Sequence, residues 1–156
     1  MTPDPRARSQ TIQGVQTVLL ALILGLCTFV AVALFVDPMQ GDRDPELGTI
    51  LLAVTGVLLT SNLPLAFFFR ARGLRSAVQR REEVLQELGR GEMPPELART
   101  TILAGALVEG AGLFGSVTFF LSRQGVALVA PVLAVLVLLF LLPTRERLAE
   151  GVRGAS

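Results

Sequence analysis

The chain has 156 residues, 51% of them hydrophobic, a mean hydropathy of +0.60 and a net charge of +1. That apolar share is above a soluble domain's usual composition, and a near-neutral charge gives a nucleic-acid partner no footing. With no His and a single Cys, neither a disulfide within the chain nor a cysteine-based metal site can form, and no cofactor motif is present.

The first apolar run, residues 11–36, follows Arg6 and Arg8. Ala31-Val-Ala33 resembles a signal-peptidase site, but the apolar stretch before it is longer than a signal peptide's core. The run therefore reads as a retained membrane helix, with Cys27 as a small buried hydrophobe. Residues 37–47, DPMQGDRDPEL, are acidic and proline-punctuated and read as an irregular turn.

A second run covers residues 48–69 and contains TSNLP. Pro64 there removes a backbone donor, and the bend it favours frees the Thr60 carbonyl. The loop 70–99 carries seven arginines and includes SAVQRREEVLQELGRG. Ser76 is its expected cap, and Leu74, Val78, Leu85 and Leu88 lie near one face. The reading is a short amphipathic helix along a membrane surface, either a spacer or a docking element. Pro94 and Pro95 then open the next helix at its first turn.

The third run is residues 100–121, and the fourth is 125–142, in which Pro131 is expected to make a kink. Thr17, Thr28, Thr55 and Thr118 are ordinary membrane-helix residues. The expected architecture is a single all-α domain, an integral membrane four-helix bundle.

Arginine placement orients it. Both tails and the loop 70–99 hold all the arginines except Arg43 and Arg123. The positive-inside rule puts both termini and that loop in the cytoplasm, in a bacterial inner membrane. A gapless overlay of residues 15–35 on 100–120 matches Gly25 with Gly110, Phe29 with Phe114 and four further positions. That suggests two duplicated hairpins, with Leu24 standing opposite Glu109.

Glu109 is the unusual residue, because it falls near mid-membrane. A charge there costs about 2.5–3.5 kcal/mol on insertion scales, so the neutral acid is favoured. Gly105, Glu109, Gly112 and Ser116 share one face, and small residues at such spacing allow close helix approach. Asn62 is about 12 Å from the end of its run and Glu109 about 15 Å from the same side. A polar cluster of Glu109, Asn62, Ser61 and Thr60 is therefore expected.

The segment RTTILAGALVEGAGLFGSVTFFL resembles the ion-binding helix of subunit c, the rotor-ring proteolipid of rotary ATP synthases and their vacuolar-type relatives. Ala106, Leu107, Glu109 and Gly115 carry the match. The resemblance implies a homo-oligomer in which Glu109 binds H⁺ or Na⁺. Unlike that family, this chain has a long polar loop and few glycines in its first two runs. It also resembles small bacterial four-helix membrane proteins in general. The alternative is a non-catalytic scaffold or assembly subunit in which Glu109 holds helices together. A small proton-coupled exporter would share the size and the single membrane acid, but this chain has no Trp or Tyr to stack on aromatic cations. No nucleophile, base or metal constellation points to an enzyme.

Overall fold

The computed structural model describes residues 10–36 and 45–154. Six α-helices are present among them: α1 Ile12–Phe35, α2 Pro45–Gln79, α3 Arg81–Gly89, α4 Pro95–Ser122, α5 Val129–Leu141 and α6 Arg145–Gly154. Two short strands, β1 Gln10–Thr11 and β2 Glu92–Met93, pair antiparallel, and a 3₁₀ turn Gly125–Leu128 leads into α5. The chain is all-α. The irregular turn expected at 37–47 lies largely outside the described residues, as do Arg6, Arg8 and Arg43.

Three helices, α1, α2 and α4, are long and apolar enough to cross a membrane. A fourth crossing exists if Gly125–Leu141 and Glu146–Val152, which meet at 74°, count as one span. α1, α2, α4 and α5 run alternately up and down, as their contacts along α4 show. α4 is the hub, packed against α1, α2 and α5.

Local sequence explains the boundaries. Thr11 caps α1 by accepting a hydrogen bond from the Gly14 amide at 3.2 Å. Pro95 opens α4 at N1, where its missing N–H costs no helix bond. Pro131 lies in the first turn of α5 instead of kinking a longer helix. It marks the change from 3₁₀ to α geometry, where proline is tolerated for the same reason.

α2 runs through Pro64 and ten residues beyond its apolar run, to Gln79. Ser76 is thus inside α2 and caps nothing. The helix breaks at Arg80 (φ −118°, ψ 40°), so the expected amphipathic helix is two pieces. Hydropathy marks where a segment is apolar, and the helix-favouring residues after Phe69 simply carry α2 onward.

At the arginine-rich end, β1, β2, α3 and α6 assemble into a cap. Leu148 and Val152 of α6, Val84 and Leu88 of α3, Ala77 of α2 and Met93 join the main hydrophobic cluster. The Gln16 side chain donates to the Pro143 carbonyl at 2.7 Å, tying α1 to the end of α5. At the opposite end Arg123, left-handed at φ 55°, terminates α4. Its guanidinium donates to the Ala33 carbonyl at 2.8 Å and to the Val36 carbonyl, and stacks near Phe119 and Phe120.

Candidate functional site around Glu109

α4 presents three faces to three helices, and glycine sets two of them. A Cβ on Gly105 would stand 2.5 Å from Leu19 Cδ2 of α1. One on Gly112 would stand 2.7 Å from Ala134 Cβ of α5 and 3.0 Å from Leu26 Cδ2 of α1. One on Gly115 would stand 2.5 Å from Ala130 Cβ. Backbones approach this closely only where side chains are absent. Ser116 is fully buried on the same side and donates to its own Gly112 carbonyl at 3.0 Å. Gly105, Gly112 and Ser116 therefore sit within helix contacts.

The face toward α2 is polar in places. Thr55 and Thr118 hydroxyls meet at 2.8 Å, both buried, and Thr55 is also within 2.8 Å of the Leu51 carbonyl. Sequence reading passed over both threonines, since hydroxyls in apolar helices commonly bond their own backbone. Their similar depth on neighbouring helices was the available signal.

Asn62 of α2 lies at this interface as well. Its amide donates to the Leu107 carbonyl of α4 at 3.2 Å. Ser61 donates to Val57 and Leu58 carbonyls, and Thr60 to Gly56 and Val57 carbonyls, all within α2 and exposed. None of them reaches Glu109, so the expected polar cluster is not assembled in this structure. Two residues along a helix are about 200° around it, so the Leu107 and Glu109 side chains leave α4 on different sides.

Glu109 points toward α1. A Cβ on Gly25 would lie 3.9 Å from its Oε1. The carboxyl is half-buried, and Gly25, Ala106 and Gly110 beside it are exposed. Among the described residues no hydrogen bond or ion pair to this carboxyl is present. The missing side chain at Gly25 opens the space above the acid, and the site faces the outside of the bundle.

Chemically, the arrangement offers one carboxyl group without an internal donor, on an apolar surface, over a glycine. It can hold a proton, or accept a cation whose other ligands come from water or a second molecule. Among the described residues no group of three His, Cys, Asp or Glu side chains is placed to hold a metal ion. No family model, curated protein or solved structure matches the chain.

Proposed function

We propose that the chain is a multi-pass protein of a bacterial inner membrane, a four-helix bundle with both termini in the cytoplasm. In this reading Glu109 binds H⁺ or Na⁺, in the manner of a rotor-ring proteolipid. α5 and its 3₁₀ lead-in supply the fourth crossing. The arginine-rich cap lies on the cytoplasmic side, where positive residues are retained.

The observation that carries the ion reading is the placement of Glu109, outward-facing, beside Gly25 and without an internal partner. Helix glue within one chain needs a donor across the interface, and Asn62 is occupied by Leu107 instead. Facing lipid, the carboxyl holds its proton. Meeting water or a neighbouring subunit, it releases the proton or takes Na⁺ in its place.

The scaffold alternative draws on the cap. β1, β2, α3 and α6 gather three separate parts of the chain into one small surface, suited to docking another subunit. In that case Glu109 finds its donor in a second chain.

A hydrophobic carbodiimide applied to native membranes separates the two. The reagent reacts with a protonated carboxyl that it reaches through lipid. Mass spectrometry should find it on Glu109, with less modification at alkaline pH or in Na⁺, and none in Glu109→Gln. Absence of modification in folded wild-type protein would mean that a partner seals the acid, and the ion reading would fall.

A further inference from the structure

Arg70 is the first charged residue after the apolar run of α2, at the depth where hydrocarbon gives way to headgroups in the membrane reading above. Its guanidinium lies 5.4 Å from the Phe140 ring centroid of α5, and 3.5 Å from the Phe140 carbonyl. Stacking on an aromatic face fixes the planar group while leaving N–H donors unspent.

α6 brings a second cation alongside. A Cβ on Gly151 would stand 3.5 Å from Leu74 Cδ2, so α6 packs on α2 there. Arg70 is four residues before Leu74, and Arg147 is four residues before Gly151. Residues four apart share a helix face, which puts Arg147 on the side of α6 turned toward Arg70. Burial, and secondarily the Arg147 charge, hold the Arg70 pKa below its ordinary value. Two like charges thus lie near one another, Arg70 half-buried and Arg147 exposed. Glu146 and Glu150 are on the same helix, yet among the described residues no carboxylate pairs with either arginine. The same cap does contain an ion pair elsewhere, Arg80 with Glu83 at 3.3 Å.

The surface leading away from this pair is apolar and open. Phe67 of α2 and Leu136, Leu139 and Phe140 of α5 are all exposed. A ligand suited to the whole feature is anionic at one end and hydrocarbon at the other. We infer that Arg70 and Arg147 clamp the phosphate of an anionic phospholipid whose acyl chains lie along α2 and α5. Arginine suits this role because its fork of donors matches phosphate oxygens. The anion relieves the repulsion between the two guanidiniums and fixes α6 against α2.

The inference rests on the membrane reading, so that reading is checked first. Alkaline carbonate should leave the wild-type chain in the membrane pellet, and release into the supernatant would overturn the membrane reading itself. The full chain is then exchanged into nanodiscs or mild detergent with phosphatidylglycerol or phosphatidylcholine, and retained lipid is counted by native mass spectrometry. Wild type should retain phosphatidylglycerol over phosphatidylcholine. The pair R70Q/R147Q should weaken that retention about tenfold or more, because the charge-assisted hydrogen bonds of both guanidiniums to the phosphate are lost. The control pair R72Q/R75Q removes the same charge from exposed positions of α2 and should retain lipid as wild type does. Equal loss in both pairs would overturn the clamp, since diffuse charge would then account for binding. Unchanged retention in R70Q/R147Q would overturn it too. Displacement of the lipid by millimolar inorganic phosphate would overturn a lipid in favour of the free anion.

Discussion

In α1 the residues buried against the rest of the chain form one stripe, Ile12, Val15, Leu19, Leu26 and Ala33, while α4 buries residues on three sides. Only 17% of the apolar window of α1 is buried, against 50% for α4. Yet α1 is the more apolar of the two helices. In water that order would be reversed, because burial follows hydrophobicity. Here the more apolar helix is peripheral, and the helix with small and polar residues is central. In the proposed membrane setting lipid is as apolar as leucine, so what draws a helix inward is close packing and hydrogen bonding.

The sharpest test of this contrast compares two glycines two residues apart on α4. Gly112→Ala puts a Cβ 2.7 Å from Ala134 and 3.0 Å from Leu26, so α4 must shift against two helices. A loss of about 1–3 kcal/mol is expected, from overpacking. Gly110→Ala meets nothing within 4 Å. That change should be neutral or stabilise by about 0.5–1 kcal/mol, through helix propensity. Thermal or denaturant unfolding in detergent reads both, and equal effects would break the distinction between hub and periphery.

Next in size is the tie between the ends of α4 and α1. Arg123→Gln loses both carbonyl contacts at the end of α1 and the stacking on Phe119 and Phe120. Charge-assisted hydrogen bonds of this kind contribute about 1.5–3 kcal/mol each, and glutamine recovers part of one. A loss of about 2 kcal/mol is expected, with amide exchange accelerated in the last turn of α1. If exchange there is unchanged, Arg123 does not hold α1 in place.

The pairing of α2 with α4 is weaker. Thr118→Val removes the 2.8 Å contact with Thr55, whose hydroxyl is left with the Leu51 carbonyl. A cost of about 0.6 kcal/mol, and at most about 1.7, is expected for a hydrogen bond between membrane helices. A double-mutant cycle with Thr55→Val isolates that coupling from the effect of each side chain alone.

These residues show how much of the fold was legible. The apolar runs located the long helices, because a stretch of that length reads the same in any packing. Pro95 announced the start of α4, since proline at N1 acts locally. The stripe of small residues at Gly105, Gly112 and Ser116 announced a contact face, but its partners were not legible, because Leu19, Leu26 and Ala134 are ordinary residues of apolar helices. The extension of α2 to Gln79 was missed because hydropathy falls there while helix propensity does not. Matching depth brought Asn62 and Glu109 together on paper, whereas rotation about α4 separates them. Depth along a helix can be counted from a boundary. Rotation depends on which helices are neighbours, and sequence does not say.

The smallest expected change in stability bears most directly on the site. A Cβ on Gly25 of α1 would lie 3.9 Å from Oε1 of the Glu109 carboxyl, and Gly25 is exposed. Gly25→Leu introduces no clash with a backbone and replaces glycine inside a helix, so unfolding should shift by less than about 1 kcal/mol, toward greater stability. Its effect should fall on access instead. A leucine there fills the opening through which a carbodiimide, an ion or a neighbouring helix reaches the acid. Modification of Glu109 should slow several-fold in Gly25→Leu, while Leu24→Ala, one residue away on the outward side of α1, leaves it unchanged. Equal rates in wild type and Gly25→Leu would show that the reagent arrives from another side, and the groove over Gly25 would no longer be the route to the acid. A slower rate at unchanged stability would separate the two uses of glycine in this molecule, with Gly112 admitting a helix and Gly25 leaving a carboxyl within reach.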